Sequence, residues 1–328
     1  MIKTEIIIIG GGVAGSLCAI LLAQQGINVT LVEQNELTLP KTPLPPHGRS
    51  VALMHPDVTL LQEAGIWESL QKEICPLETM RIIEGKVKTS FHAHEINLHE
   101  FGFNVPNNAL RIALIKRLHE LPNLTLKDKT ELWDIQLSDT GITALLSDDC
   151  EIEAQLIIGA DGKNSKVRHI VNIDAIKTNY KQTALTCLIK HSLSHNNTSN
   201  EFHKPGGPFT TVPCPDQTST IVWCENEETA QEYLLFKKPD IENKIQELSQ
   251  NILGDIQLES SLESYKLSGL VARKFTAHRV ALIAEAAHVL HPIGAQGLNL
   301  SLRDIHNLYT LVSRQKQLGL DLGSLSLL

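Results

Sequence analysis

The chain has 328 residues, 42% of them hydrophobic and 20% charged, with a net charge of −8. At about 100–200 residues per domain it holds one large domain or two ordinary ones, and this composition excludes wholesale disorder. The acidic balance gives no general attraction to phosphate backbones or anionic lipid, which argues against nucleic-acid binding as the main role.

Residues 4–9 form a short β-branched run, the mark of a buried parallel strand. Three glycines break it at once, and the next apolar stretch, Val13 to Ala23, is too short to span a bilayer. No segment reads as transmembrane. A helix is expected from the glycine turn to about Gln25 with Gly26 as C-cap, then a strand over 27–32 ending at Glu33. Residues 38–48 carry four prolines and read as a loop. Val51 to Leu70 reads as helix around a break at Pro56, with Gly65 interrupting its second part. Residues 77–99 alternate loosely, which predicts antiparallel strands over 80–83 and 87–92. Asn107 to Leu121 has helical periodicity, and strands return from Leu124 to Ile158 with a turn at Asp139-Thr140-Gly141. Strands are expected over 183–190, 209–212 and 220–223, with a polar loop at His195 to Asn200. Residues 227–253 read as helical. A strand over 280–283, a loop through Gly297 and a helix from about Leu298 to Gln315 close the pattern. Segments of two architectures alternate, so the domains are expected to interleave.

Gly10-Gly11-Gly12-Val13-Ala14-Gly15 is a GxGxxG turn between strand and helix. Gly10 permits the tight turn, Gly12 lets backbone approach a pyrophosphate, and Gly15 lets the helix pack on the strand. The first helical turn, at Val13 and Ala14, offers free N–H groups and partial positive charge to phosphates. Glu33, 18 residues after Gly15, stands where a carboxylate binds ribose hydroxyls. The motif alone does not separate FAD from NAD. Its position at residue 10, and the lack of a second GxGxxG for a nicotinamide domain, favour FAD.

Asp161-Gly162 follows a buried strand, so Asp161 faces the crevice where such sheets bind ligands; taken alone, Asp-Gly is more often just a turn. In the third stretch a strand ends at Glu285, and Pro292, Gly294, Gln296, Gly297, Leu298 and Asn299 lead into a helix. A helix start aimed at a reduced isoalloxazine would stabilise the negative charge of its N1/O2 edge. His288 and His291 have i, i+3 spacing, but no third ligand is evident and no metal site is expected. Asp304 after Arg303 reads as a helix-surface pair. Six cysteines form no CxxC pair and lack zinc spacing, which points to a reducing cytoplasm.

These three stretches in this order resemble the FAD-dependent aromatic hydroxylases of the p-hydroxybenzoate-hydroxylase fold. The tail HPIGAQGLNLSLRD is similar to the ubiquinone-biosynthesis hydroxylases, and the resemblance runs from residue 4 to about 310. Arg49, in Gly48-Arg49-Ser50, matches the family arginine that contacts the flavin; outside that context it would read as a surface residue. The resemblance implies an α/β fold, a Rossmann-like FAD-binding domain interleaved with a mixed/antiparallel β-sheet substrate domain. The FAD-binding parts are expected over 1–75, 102–178 and 269–328, and the substrate parts over 76–101 and 179–268.

The implied reaction is hydroxylation of a polyprenylated phenol in ubiquinone biosynthesis, by oxygen transfer from a flavin C4a-hydroperoxide formed with O2. The reductant is NAD(P)H or a protein electron donor. No side-chain nucleophile is required, so no catalytic residue is named. A hydrophobic substrate suits peripheral association with the inner face of the membrane or a ubiquinone-synthesis complex. A non-catalytic or truncated flavin-binding subunit of such an assembly is the alternative, or a hydroxylase of another aromatic substrate. A halogenase is disfavoured because Trp67, Trp133 and Trp223 stand isolated, with no WxWxIP segment.

Three departures from the family stand out. Ala284-Glu285 replaces Gly-Asp, Ala295 and Ser301 replace glycines, and relatives continue for roughly 60 residues beyond Leu328. The last implies missing C-terminal helices and exposed apolar surface.

Overall fold

The computed structural model describes residues 2–40, 42, 45 and 48–328. The loop expected over 38–48 therefore lies partly outside the described residues. A six-stranded sheet runs in the order Thr276–Ala277, Val280–Leu282, Leu156–Gly159, Ile6–Ile9, Val29–Val32, Leu124–Lys127, parallel except at its first strand. The unbroken Ile6–Ile9 run follows from burial on both faces. Ile6 and Ile8 join a core with helices Val13–Gln24, Asn107–Glu120 and Gln296–Gln317, while Ile7 and Ile9 face a second core. A four-stranded sheet of Ile2–Lys3, Glu151–Ala154, Ile142–Leu146 and Leu132–Leu137 supplies the far wall of that second core.

The other large sheet has nine strands, built around Ala175–His191 between Glu263–Ala272 and Thr218–Asn226. Phe209–Cys214, Thr198–His203, Thr79–Glu84 and Val87–His92 extend it to its far edge. Helices Glu227–Leu234 and Lys238–Leu248 cover one face, where Leu185, Cys187, Ile189, Ile221 and Trp223 meet Ala230, Ile241 and Ile245. A small sheet of Ser50–Met54, Gly102–Pro106 and Cys75–Leu77 lies against the other face: the Asn104 amide donates to the Pro213 carbonyl at 2.8 Å.

Two local expectations fail. Residues 51–54 are not helix: Ser50–Met54 is a strand antiparallel to Gly102–Pro106, and the helix starts at His55. Pro56 sits in the first helical turn, where its missing N–H costs nothing, and the extended cap residue before the helix is Met54. The polar loop is also shorter than expected, because Thr198–His203 pairs in parallel with Thr79–Glu84. Polar side chains hid that strand. The first helix ends as expected, with Gly26 in the left-handed region just past cap residue Gln25. Leu311, Leu318, Leu320 and Leu325 are exposed in and after the last helix.

Candidate functional site

Register decides what meets at the strand ends. Gly159 pairs with both Ile9 and Leu282, and Ile9 pairs with Val32. The segments that follow these four strands therefore leave from one edge of the sheet, about 4.8 Å apart. They carry the glycine turn, Glu33, Asp161-Gly162 and Glu285. Contacts close the group: a side chain on Gly10 would strike the Ala160 carbonyl oxygen at 2.4 Å, and one on Gly162 would reach Glu285 Oε2 at 4.0 Å.

The three glycines differ in what surrounds them. Gly10 has φ +107°, a conformation L side chains rarely adopt. A Cβ on Gly15 would lie 1.9 Å from the Gly10 carbonyl oxygen, so only glycine lets the helix approach the turn. Nothing lies within 4 Å of a Cβ on Gly12. Gly12 caps the first helix with no side-chain hydrogen bond, and the first turn, including Val13 and Ala14, carries no acid. Free N–H groups facing open space suit a pyrophosphate.

Glu33 is held ready. Its Oε2 accepts from the Gly11 N–H at 2.6 Å, and its Oε1 accepts from the backbone and side chain of Asn35 at 2.9 and 2.8 Å. Asp161 Oδ2 accepts from Lys166 and Val167 N–H at 2.7 and 3.0 Å, starting the helix Lys166–Ile170. Its Oδ1 is buried with no partner among the described residues. An unpaired buried acceptor costs about 1–3 kcal/mol, so a ligand hydroxyl is its natural complement.

The second helix terminus has the same character. Gln296–Gln317 begins at Ala295 with no side-chain cap and no acid in its first turn, and nothing lies within 4 Å of a Cβ on Gly297. Pro292, Gly294 and Gln296 are exposed beside it. Leu298 and Asn299 differ: Leu298 packs on the first core, and Asn299 is buried. The Asn299 amide donates to Ala52 and Ala295 carbonyls at 2.8 and 2.6 Å and accepts from Met54 N–H at 3.2 Å. It ties this terminus to the strand that follows Arg49. Arg49 stacks on the nine-stranded sheet, its guanidinium 4.6 Å over the Tyr265 ring.

Two supporting roles escaped the sequence reading. Asp304 is not a surface partner of Arg303: its Oδ2 accepts from Ala284 N–H at 2.9 Å and pairs with buried His288 at 2.6 Å. It holds the Glu285 loop on the last helix. Arg168, also buried, donates to the carbonyls of Ala286 and Lys163 at 2.7 and 2.8 Å, locking the second stretch to the third. No short-range spacing links these partners. His291 binds Gln182 Oε1 at 3.0 Å, and no cluster of three or more metal-ligating side chains forms among the described residues. All six cysteines are free thiols, and burial pushes those of Cys18, Cys75 and Cys187 up to about 12.

Comparison with known proteins supplies the family. A family model described as an FAD binding domain matches residues 3–315. The chain is 31% identical to a ubiquinone hydroxylase (UbiL) of Rhodospirillum rubrum, over 99% of this chain and 76% of that one. It is 28% identical to the 3-demethoxyubiquinol 3-hydroxylase of Escherichia coli, over 96% of this chain and 81% of that one. Among solved structures, PqsL of Pseudomonas aeruginosa, described as a probable FAD-dependent monooxygenase, superposes with TM-score 0.83 at 19% identity. That match covers 98% of this chain and 88% of PqsL, and it shows the shared fold.

Proposed function

Since the chain belongs to the FAD-binding-domain family of monooxygenases, we propose that it hydroxylates the ring of a polyprenylated phenol in ubiquinone biosynthesis. FAD is its cofactor. The observation that carries the reading is the convergence of the glycine turn, Glu33, Asp161 and Glu285 on one sheet edge, with a second open helix terminus beside them. The names of the relatives supply the substrate class.

The residues fit the cofactor. Gly12 and the first helical turn would bind the pyrophosphate, and Glu33 the adenosine ribose. The orphaned Asp161 Oδ1 would accept from a cofactor hydroxyl, with Glu285 beside it. The N-terminus of Gln296–Gln317 would place partial positive charge where the reduced ring carries negative charge. When bound, FAD takes electrons from a reductant and delivers one oxygen atom of O2 to an electron-rich ring. The chain's share would be to bind, orient and exclude water, with the nine-stranded sheet as the covering wall.

NAD(P)H or a protein donor would supply electrons. A prenyl tail would favour work at the inner face of a membrane or in a ubiquinone-synthesis assembly. No helix among the described residues is long and apolar enough to cross a membrane. The test is to load the protein with FAD, reduce it without air, and admit O2 with a short-chain polyprenylphenol. Hydroxylated product is expected. A protein that folds yet cannot be loaded with FAD refutes the reading, and bound flavin with no product from any phenol points to the accessory alternative.

A further inference from the structure

A guanidinium that is held in place yet lacks a carboxylate is a ready site for an oxyanion. Its fork of N–H groups is already oriented, and its charge is uncompensated. Arg81, on the strand Thr79–Glu84, is such a group. It lines a cleft of about 100 Å3 near the outer edge of the nine-stranded sheet. Ile83, two residues on, packs into the helix-covered core, so Arg81 points to that side of the sheet. Arg49 stacks on the other side, over Tyr265, whose register partner Ala184 alternates with the core residue Leu185. The cleft is thus separate from the candidate cofactor edge.

Neutral groups fix the guanidinium. Nε donates to the Ser90 hydroxyl at 3.2 Å and Nη1 to Asn200 Oδ1 at 3.4 Å, and no carboxylate pairs with it among the described residues. Asn200 is 2% exposed, and its amide nitrogen donates to the Thr198 carbonyl at 3.3 Å and the Thr211 hydroxyl at 3.2 Å. Those two bonds aim Oδ1 at Arg81. Arg81 and Asn200 are also register partners, in the parallel pairing of Thr79–Glu84 with Thr198–His203. A guanidinium carries five N–H groups, so with two engaged three are left for a ligand.

The rest of the wall adds a donor but no second charge. Ser194 Oγ accepts from the Asn196 N–H at 3.1 Å, which leaves its own proton to donate into the cleft. His195 is neutral: Nε2 donates to the Cys214 carbonyl at 2.9 Å, Nδ1 accepts from the Asn197 N–H at 3.1 Å, and burial pushes its pKa down. The acids on these strands are engaged elsewhere, Glu78 with the Asn197 amide at 2.8 Å and Glu201 with His203 at 2.8 Å. Ile252 and Leu253 form an apolar wall, beside which a charge pair is less screened than in water. The cleft's volume of about 100 Å3 suits a single small anion and falls below the about 300–1,000 Å3 of a pocket for a drug-sized ligand.

We propose that this cleft binds one phosphate group, as the free ion or as the end of a small phosphate monoester, with Arg81 and Ser194 donating to its oxygens. A phosphate monoester presents three strong acceptor oxygens to the four free donors, a carboxylate only two. The anion bridges the strand Thr79–Glu84 to the loop before Thr198–His203. It so fastens a parallel junction whose partners Arg81 and Asn200 stand 119 residues apart in the chain. The site stands whether or not the hydroxylase reading does.

The FAD-saturated protein, whose glycine turn is then occupied, is titrated with inorganic phosphate at constant ionic strength. One phosphate per chain should bind with Kd on the order of 1 mM. Phosphate at about 10 mM should then lower the unfolding constant in urea about tenfold, since only the folded chain holds the cleft together. Arg81→Gln should lose both effects. Arg81→Lys, which keeps the charge without the fork, should weaken binding about fivefold, and Ser194→Ala about threefold. Glycerol 3-phosphate separates the two sources: binding as tight as that of the free ion marks an opening for a monoester, and no binding marks a site for the free ion. Either result keeps the anion site.

Equal stabilisation by sodium chloride at the same ionic strength is a general salt effect and overturns the site. So does a phosphate response that Arg81→Gln retains. If Arg81→Gln does not fold, Arg81→Lys decides, and an unchanged Kd there overturns the site. A protein that takes up no FAD sinks the hydroxylase reading alone. Parent and Arg81→Gln compared without FAD then decide, because only the binding that depends on Arg81 counts.

Discussion

Two alanines stand where the backbone asks for glycine. Ala284 has φ +55° and Ala295 φ +53°, both in the left-handed region, and both replace glycines of the resembling family. An L residue there lies about 1–2 kcal/mol above its right-handed conformation, whereas glycine carries no such penalty but loses about 0.5–1 kcal/mol more backbone entropy on folding. Ala295 is half-buried and its methyl contributes little packing. Ala295→Gly should therefore stabilise the cofactor-free protein by about 0.5–1 kcal/mol. Ala284 is 5% exposed, so its substitution also removes a buried methyl worth about 0.8 kcal/mol, and the net change should be near zero. Ala109 provides the control. It lies within the helix Asn107–Glu120, where Ala→Gly should cost about 1 kcal/mol. Urea unfolding of the three variants should give that order: a gain, no change, a loss. If Ala295→Gly loses as much as Ala109→Gly, the left-handed turn is not a source of strain and the argument fails.

The glycine turn gives a paired test. Gly15→Ala should destabilise the protein by about 1–3 kcal/mol, because its Cβ meets the Gly10 carbonyl at 1.9 Å. Gly12→Ala meets nothing and should stay within about 1 kcal/mol of the parent, yet bind FAD about tenfold more weakly by fluorescence titration. Equal FAD affinity in the Gly12 variant would remove the pyrophosphate from that turn. Asp304→Ala leaves buried His288 and the Ala284 N–H without their acceptor and should cost about 2–4 kcal/mol in urea. A loss below about 0.5 kcal/mol, the size of an ordinary surface change, would return Asp304 to the helix surface.

Acid should loosen the C-terminal segment. Hydrogen bonds from Arg279 to both Asp321 oxygens, at 3.0 and 2.7 Å, hold that carboxyl below its ordinary 3.8. A depressed carboxyl stabilises the fold above its unfolded value, and the contribution is lost as pH falls below 3.8 through the folded value. Asp321 is well exposed, so the effect is small and local. Hydrogen exchange at residues 318–328 should speed up across that window, beyond the intrinsic pH effect, and Asp321→Asn should abolish the dependence. An unchanged pH response in the variant would refute the assignment.

The candidate cofactor edge was legible because each of its parts is local in sequence. A β-branched run, a spaced glycine turn and an acid at the next strand end each carry their reason within about 30 residues. The registers of Ile9, Val32, Gly159 and Leu282 then needed only parallel pairing to bring Gly10, Glu33, Asp161 and Glu285 together. What stayed hidden is what depends on distance. Asp304 reaches back 20 residues to Ala284, Arg168 reaches 118 to Ala286, and Asn299 reaches 247 to Ala52. Asp304 and Arg168 satisfy backbone groups of the loop around Glu285, and Asn299 one on a strand, and a sequence shows the polar residue without showing which backbone group it serves.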